Sequence, residues 1–202
     1  MAAKIAFRTL VAGAIVVTVN DRVFDAHVVT GNSMAPALSP DYNLAGRRDA
    51  ILVRKGDFRS ETADSTRATR LTLQRGDVVA FWKPHDPESM SVKRVVGLPG
   101  DVVWRDMRRV GSEAEAGKRF GMGPQAPAVH VPPGHVFVEG DNWRDSFDSH
   151  DFGPIPSGLI TGRAVGIIWP PSRAGSVPSR IGKDASRTVI VPGVAELPAH
   201  WH

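Results

Sequence analysis

Cysteine is absent from all 202 residues, so the chain can hold neither a disulfide nor a thiolate-bound metal. No stretch repeats itself. The 7 histidines contain no HExxH pattern and no metal-like cluster, so neither a metal nor another cofactor is expected. Long apolar runs are lacking too. The uncharged segment from Thr9 to Asn20 has 12 residues, against the ~20 that cross a bilayer unaided. Spanning requires Lys4 and Arg8 to snorkel at one end, with Asp21 and Arg22 at the other interface. A cleavable signal peptide has an apolar stretch of similar length, but this run flows into the following segment without a clear small-residue cleavage site. Clustered charge is the last absence. The net charge is +4, yet 25 Lys and Arg are interleaved with 21 Asp and Glu. Nucleic-acid footprints are gathered on one face or stripe, so no nucleic-acid partner is expected. Modest positive charge suits an anionic membrane surface equally well.

A hydrophobic content of 42% is enough for a real core, and the length suits one domain with or without a tail. The 20 glycines and 16 prolines punctuate short β-branched runs, which predicts strands and turns rather than a helical bundle. The expected strands are Ala26 to Thr30, Ala50 to Val53, Val78 to Trp82, Val92 to Val96, Val102 to Trp104, Val129 to Val131, His135 to Glu139 and Arg163 to Trp169. Pro84 to Glu88 reads as a turn, and residues 54–74 and 106–128 read as polar insertions. Beyond Pro171 little periodicity remains apart from Thr188 to Val191. Trp82, Trp104, Trp143 and Trp169 are expected as core or interface anchors. Lipid contact is the alternative for Phe81, Trp82 and Trp104.

Two distant segments carry the chemistry. Gly31-Asn32-Ser33-Met34-Ala35-Pro36 places a hydroxyl in a turn, and Ser91-Val92-Lys93-Arg94-Val95-Val96-Gly97-Leu98-Pro99-Gly100-Asp101 places an amine in a β-branched run that ends in a turn. A serine hydroxyl is a poor nucleophile until a base takes its proton. Lys93 can be that base only when neutral. Lowering its pKa by ~3 units from the usual 10.4 requires roughly 4 kcal/mol of differential destabilisation of the ammonium form, for which burial among valines is the plausible source. Taken singly, Ser33 reads as a turn residue and Lys93 as an exposed strand lysine. Arg94 alternates to the other strand face, where a surface charge or an ion-pair partner is expected. Asp141 and Asn142 are turn-forming types that readily bond their own backbone.

These segments, together with Arg75-Gly76-Asp77-Val78-Val79-Ala80-Phe81 and Gly140-Asp141-Asn142 followed by Ser146-Phe147-Asp148-Ser149, resemble in order the type I signal peptidase family of membrane-bound Ser/Lys endopeptidases. Gly134 to Asp141, Ser146 to Pro154 and Ile168-Trp169-Pro170-Pro171 are most similar to the branch of the mitochondrial inner membrane protease's second subunit. The resemblance implies a mainly β catalytic domain of coiled antiparallel sheets with one N-terminal membrane-anchor helix. Residues 1–24 would be the anchor, 25–171 the peptidase domain and 172–202 a tail. It implies a Ser33/Lys93 dyad, with Ser146 hydrogen-bonding the lysine and Asp148 holding basic side chains and its loop.

The implied substrates are precursor proteins carrying intermembrane-space sorting signals. The implied partners are membrane lipid and a related peptidase subunit in a heterodimer. The implied location is the mitochondrial inner membrane, spanned once, with the catalytic domain facing the intermembrane space, as positive charge at Lys4 and Arg8 would also favour.

Two departures stand out. Many bacterial relatives have a hydroxyl residue where this chain has Gly31, leaving the second oxyanion donor to another N–H, Thr30 or water. His150 stands where they often carry Arg. His150 beside Asp151 invites a Ser/His/Asp triad, but Lys93 fills the base position. A bacterial-type or plastid signal peptidase, a self-cleaving LexA-like repressor and an inactive scaffold subunit remain as alternatives. No DNA-binding region precedes Ser33, which disfavours the repressor.

Overall fold

A computed structural model describes residues 23–56, 72–105, 128–179 and 188–193. The anchor expected over 1–24 lies outside the described residues except for its end, as does most of the two polar insertions. Among the described residues, no helix is long and apolar enough to cross a membrane.

The architecture is mainly β and antiparallel, as expected from the short β-branched runs. In chain order the strands are β1 (Phe24–Val28), β2 (Ala50–Lys55), β3 (Val78–Lys83), β4 (Asp86–Gly97), β5 (Val102–Arg105), β6 (Ala128–His130), β7 (His135–Glu139), β8 (Ile155–Pro156), β9 (Ile160–Trp169) and β10 (Thr188–Val191). Among the described residues, two one-turn helices, α1 (Tyr42–Ala45) and α2 (Ser149–Phe152), lie between the strands. One sheet has the order β1-β2-β9-β3-β4-β7-β8, and a smaller one has the order β10-β5-β6.

Strands β3, β4 and β7 sit inside the large sheet, and their sequences explain it. Val78 to Phe81, Lys93 to Gly97 and Val136 to Glu139 are continuous buried runs rather than alternating ones, the mark of strands covered on both faces. On one side, Val78 and Ala80 pack with Val29, Met34, Leu38, Ile51 and Val53. On the other, Val79 and Phe81 pack with Val95, Val138 and Ile155. A third cluster of Val96, Val103, Val131 and Phe137 joins the small sheet to β4 and β7.

Several expectations are corrected. The turn after β3 is shorter than Pro84 to Glu88, because β4 already begins at Asp86. The run Thr188 to Val191 pairs antiparallel with β5, so this part of the tail completes the small sheet. Phe81 is fully buried and belongs to the core. Trp82, Trp104 and Trp169 are instead 40%, 46% and 60% exposed, so they do not serve as core anchors.

Candidate active site

Burial of the residue next to it fixes Ser33. Strand β1 leads through buried Val29 into the turn, where Met34 and Leu38 are 1% and 0% exposed and Leu38 N–H donates to Met34 O. With both side chains committed to the core, Ser33 is left half-buried at the surface of the turn. Gly31 has φ +95°, a left-handed conformation open to glycine, and a Cβ there would meet nothing within 4 Å. A buried bracket closes the far end. Ser39 N–H donates to Asp49 Oδ2 at 2.8 Å, and Arg173 Nε donates to Asp49 Oδ1 at 3.0 Å.

Lys93 comes from the middle of β4, opposite Val79. Its residue is 4% exposed, and its Nζ lies 2.5 Å from Ser33 Oγ. The two residues singled out 60 positions apart are thus in hydrogen-bond contact. Both line a groove whose walls include His27 to Thr30 at the end of β1 and Met90 to Val92 on β4. Phe147 and Phe152 stand beside it and hold His85 against their rings, with centroids 4.8 and 5.7 Å apart.

The segment from Gly140 to Asp151 docks onto the Ser33 turn. Asn142 N–H donates to Ser33 O at 2.9 Å, and Asn142 Nδ2 donates to Asn32 O at 3.2 Å. Asp148, fully buried, accepts from Gly140 N at 2.8 Å, Ser146 Oγ at 2.6 Å and His150 N at 3.1 Å. It therefore caps α2 and ties the loop together. The Ser146 hydroxyl proton goes to Asp148, which leaves the oxygen lone pairs to accept other donors.

Gly140 makes this close approach possible. A Cβ at that position would overlap Ser146 Oγ and lie 2.6 Å from Ser33 O. Gly140→Ala is therefore expected to push the serine turn and the loop apart. For the peptidase activity that the resemblance implies, a displacement of this kind costs about 10²-fold in kcat/KM, read as peptide cleavage. Gly158→Ala, where a Cβ meets nothing within 4 Å, is the neutral control.

Of the two roles expected for Arg94, the structure shows the ion-pair partner and not the surface charge. Its side chain is 5% exposed and that of Asp141 2%. The guanidinium donates to both Asp141 oxygens at 2.9 and 2.6 Å, and also to Gly76 O and Pro178 O. Asp141 thus anchors its loop to β4 rather than only shaping a turn. Arg75 and Asp101, from two of the blocks quoted above, form a second bidentate pair at 2.6 to 3.1 Å.

Sequence reasoning missed one buried pair. His150 Nε2 lies 2.8 Å from Glu139 Oε1, with side chains 2% and 0% exposed. His150 is thus engaged with Glu139, and its Nδ1 has no hydrogen-bond partner among the described residues. The only signal was an acid ending the apolar run of β7. Among the described residues no group of His, Asp and Glu is arranged to hold a metal ion.

Comparison with known proteins identifies the family. The family model described as signal peptidase, peptidase S26 matches residues 2–169. Mitochondrial inner membrane protease subunit 2 from Danio rerio is 36% identical over 163 residues, covering 81% of this chain and 74% of that protein. Mitochondrial inner membrane protease subunit 1 from Mus musculus is 43% identical over 98 residues, 48% of this chain and 51% of the relative. The crystal structure of a signal peptidase I from Enterococcus faecalis V583 matches 46% of this chain and 97% of its own at 26% identity, with a TM-score of 0.33. With five-sixths of its length matched by one family model and four-fifths by a relative more than a third identical, the chain belongs to the signal peptidase family, peptidase S26.

Proposed function

We propose that this protein is a serine endopeptidase of the mitochondrial inner membrane that removes sorting peptides from proteins delivered to the intermembrane space, with Ser33 as nucleophile and Lys93 as general base. The observation that carries the reading is the 2.5 Å contact between Ser33 Oγ and Lys93 Nζ at a lysine only 4% exposed. Removing an ammonium from water disfavours its charged form, and the neutral amine can then accept the Ser33 proton.

An extended substrate segment enters the groove between β1 and β4. The outer edge of β1 in the large sheet offers main-chain groups for pairing. Ser33 Oγ attacks the scissile carbonyl carbon while its proton passes to Lys93. The C–N bond then breaks, and the same proton goes to the leaving amine. A water deprotonated by Lys93 attacks the acyl ester, and the proton returns to Ser33 Oγ as the acid leaves. The backbone N–H of Ser33 is one donor to the oxyanion, and the Thr30 hydroxyl lining the groove is a candidate for the second. Ser146, its own proton held by Asp148, accepts from Lys93 and orients it.

The names of the relatives support the inner membrane and a related peptidase subunit as partner, and the pair would form a heterodimer. Residues 1–24 would anchor the chain in a single pass, with the catalytic domain facing the intermembrane space.

The test is cleavage of a precursor bearing an intermembrane-space sorting signal by the solubilised full chain, with its partner subunit present. A specific cut that is lost in Ser33→Ala is expected. The wild-type rate should rise with pH through one base limb well below the ~10.4 of free lysine. An unchanged cut in Ser33→Ala would rule the reading out and favour a scaffold role.

A further inference from the structure

Lys83 occupies an unusual place. It ends β3, is half-buried and lines the same groove as Ser33 and Lys93. The pairing of β3 with β4 runs regularly from Val78 opposite Arg94 to Trp82 opposite Met90, then jumps to Lys83 opposite Asp86. Such an irregularity re-aims a side chain at the end of a ladder. The Lys83 ammonium forms no ion pair with any described residue. No carboxylate is among the described residues lining the groove, whose polar side chains besides Ser33, Lys83 and Lys93 are Thr30, Ser91, His27 and His85. The acid of β1, Asp25, is already engaged by Lys55 at 3.4 Å and His27 at 3.5 Å. Asp86, opposite Lys83 in the ladder, neither lines the groove nor pairs with it, so among the described residues the counter-charge facing this half-buried cation inside the groove is one that a ligand can supply.

Resting on the peptidase reading above, we propose that Lys83 is a specificity-determining residue that binds a carboxylate side chain of the substrate three to four residues from the cleaved bond. The spacing follows from the ladder. Lys93 stands opposite Val79, four positions before Lys83. At ~3.3 Å per residue this is about 13 Å along the strand. An extended substrate advances at the same rate, so a side chain within reach of the Lys83 amine belongs to a residue about that many positions from the carbonyl held at Ser33. The favoured sorting peptides therefore carry Asp or Glu at that distance. Selection by charge at this point also steers the encounter and weakens with salt.

The test uses a peptide series in which a single Asp, or Asn in its place, is moved along both sides of one cleavage site. The reading is the Asp/Asn ratio of kcat/KM within each variant, so a general loss of activity cancels. In the wild type, one position three or four residues from the cut should favour Asp by about fivefold, with the preference shrinking as salt is added. In Lys83→Gln that ratio should fall to one, and in Lys83→Glu it should fall below one. A ratio near one at every position of the wild type would overturn the proposal. So would an Asp preference that persists in Lys83→Gln, which would assign it to Lys93 or a histidine. If no Ser33-dependent cut occurs, the peptidase reading fails separately. The same Asp and Asn peptides are then compared by displacement from Ser33→Ala full chain, where equal affinities at all positions overturn the proposal and a Lys83-dependent preference upholds it.

Discussion

Lys93→Met is expected to abolish turnover while leaving the fold as stable as before, or more so. A general base contributes roughly 10² to 10⁴ in rate, and kcat/KM should fall by at least about 10³-fold. Ser33→Ala should fall to the same floor, and the double variant should fall no further, because two groups acting in one proton transfer are not additive. Stability should move the other way. Lys93 is 4% exposed, and placing an amine there costs desolvation that an unbranched apolar side chain of similar length does not incur. A lysine kept for packing would behave oppositely, losing stability on replacement and leaving the rate intact. Lys93→Arg separates charge from proton transfer. The guanidinium stays protonated, so this variant should be as inactive as Lys93→Met and less stable than it. Cleavage kinetics and thermal unfolding of the three variants decide between the two readings.

The pairing of Ser33 with Lys93 was legible because each residue sits in a local pattern that fixes its environment. Met34 and Leu38 are apolar and must be buried, which turns Ser33 outward. The β-branched run around Lys93 is a strand from the interior of a sheet. What local pattern cannot tell is which element covers a strand face. Alternation places Arg94 opposite to Lys93, where a surface charge or an ion-pair partner is expected without any indication of which element would supply the partner. The segment around Asp141 and the chain at Pro178 cover that side. Glu139 and His150 meet only because α2 folds back beside β7, and no strand periodicity encodes that return. The same holds for Thr188 to Val191. Its β-branched residues announce a strand, whereas its partner β5 lies more than eighty positions earlier in the chain.

Asp141→Ala is expected to be the most destabilising single change at this site. It would leave Arg94, with a side chain 5% exposed, without its carboxylate. Breaking a buried pair from one side costs about 3–5 kcal/mol, since the remaining charge is neither hydrated nor matched. The backbone acceptors Gly76 O and Pro178 O would still hold two guanidinium N–H groups, but carbonyl dipoles do not replace a full negative charge. Removing both partners together, as Arg94→Met with Asp141→Leu, should recover most of this stability because no charge remains to be desolvated. Activity should not recover with it. Asp141 lies between Gly140, which touches the Ser33 turn, and Asn142, which donates to Ser33 O, and the bidentate geometry of the pair fixes where that segment lies along β4. An apolar pair packs without that directional constraint, so the loop should dock less accurately and kcat/KM should stay reduced by about 10-fold or more. A double variant restored in both melting temperature and turnover would mean that the ion pair only fills space, and that Asn142 and Asp148 suffice to seat the loop.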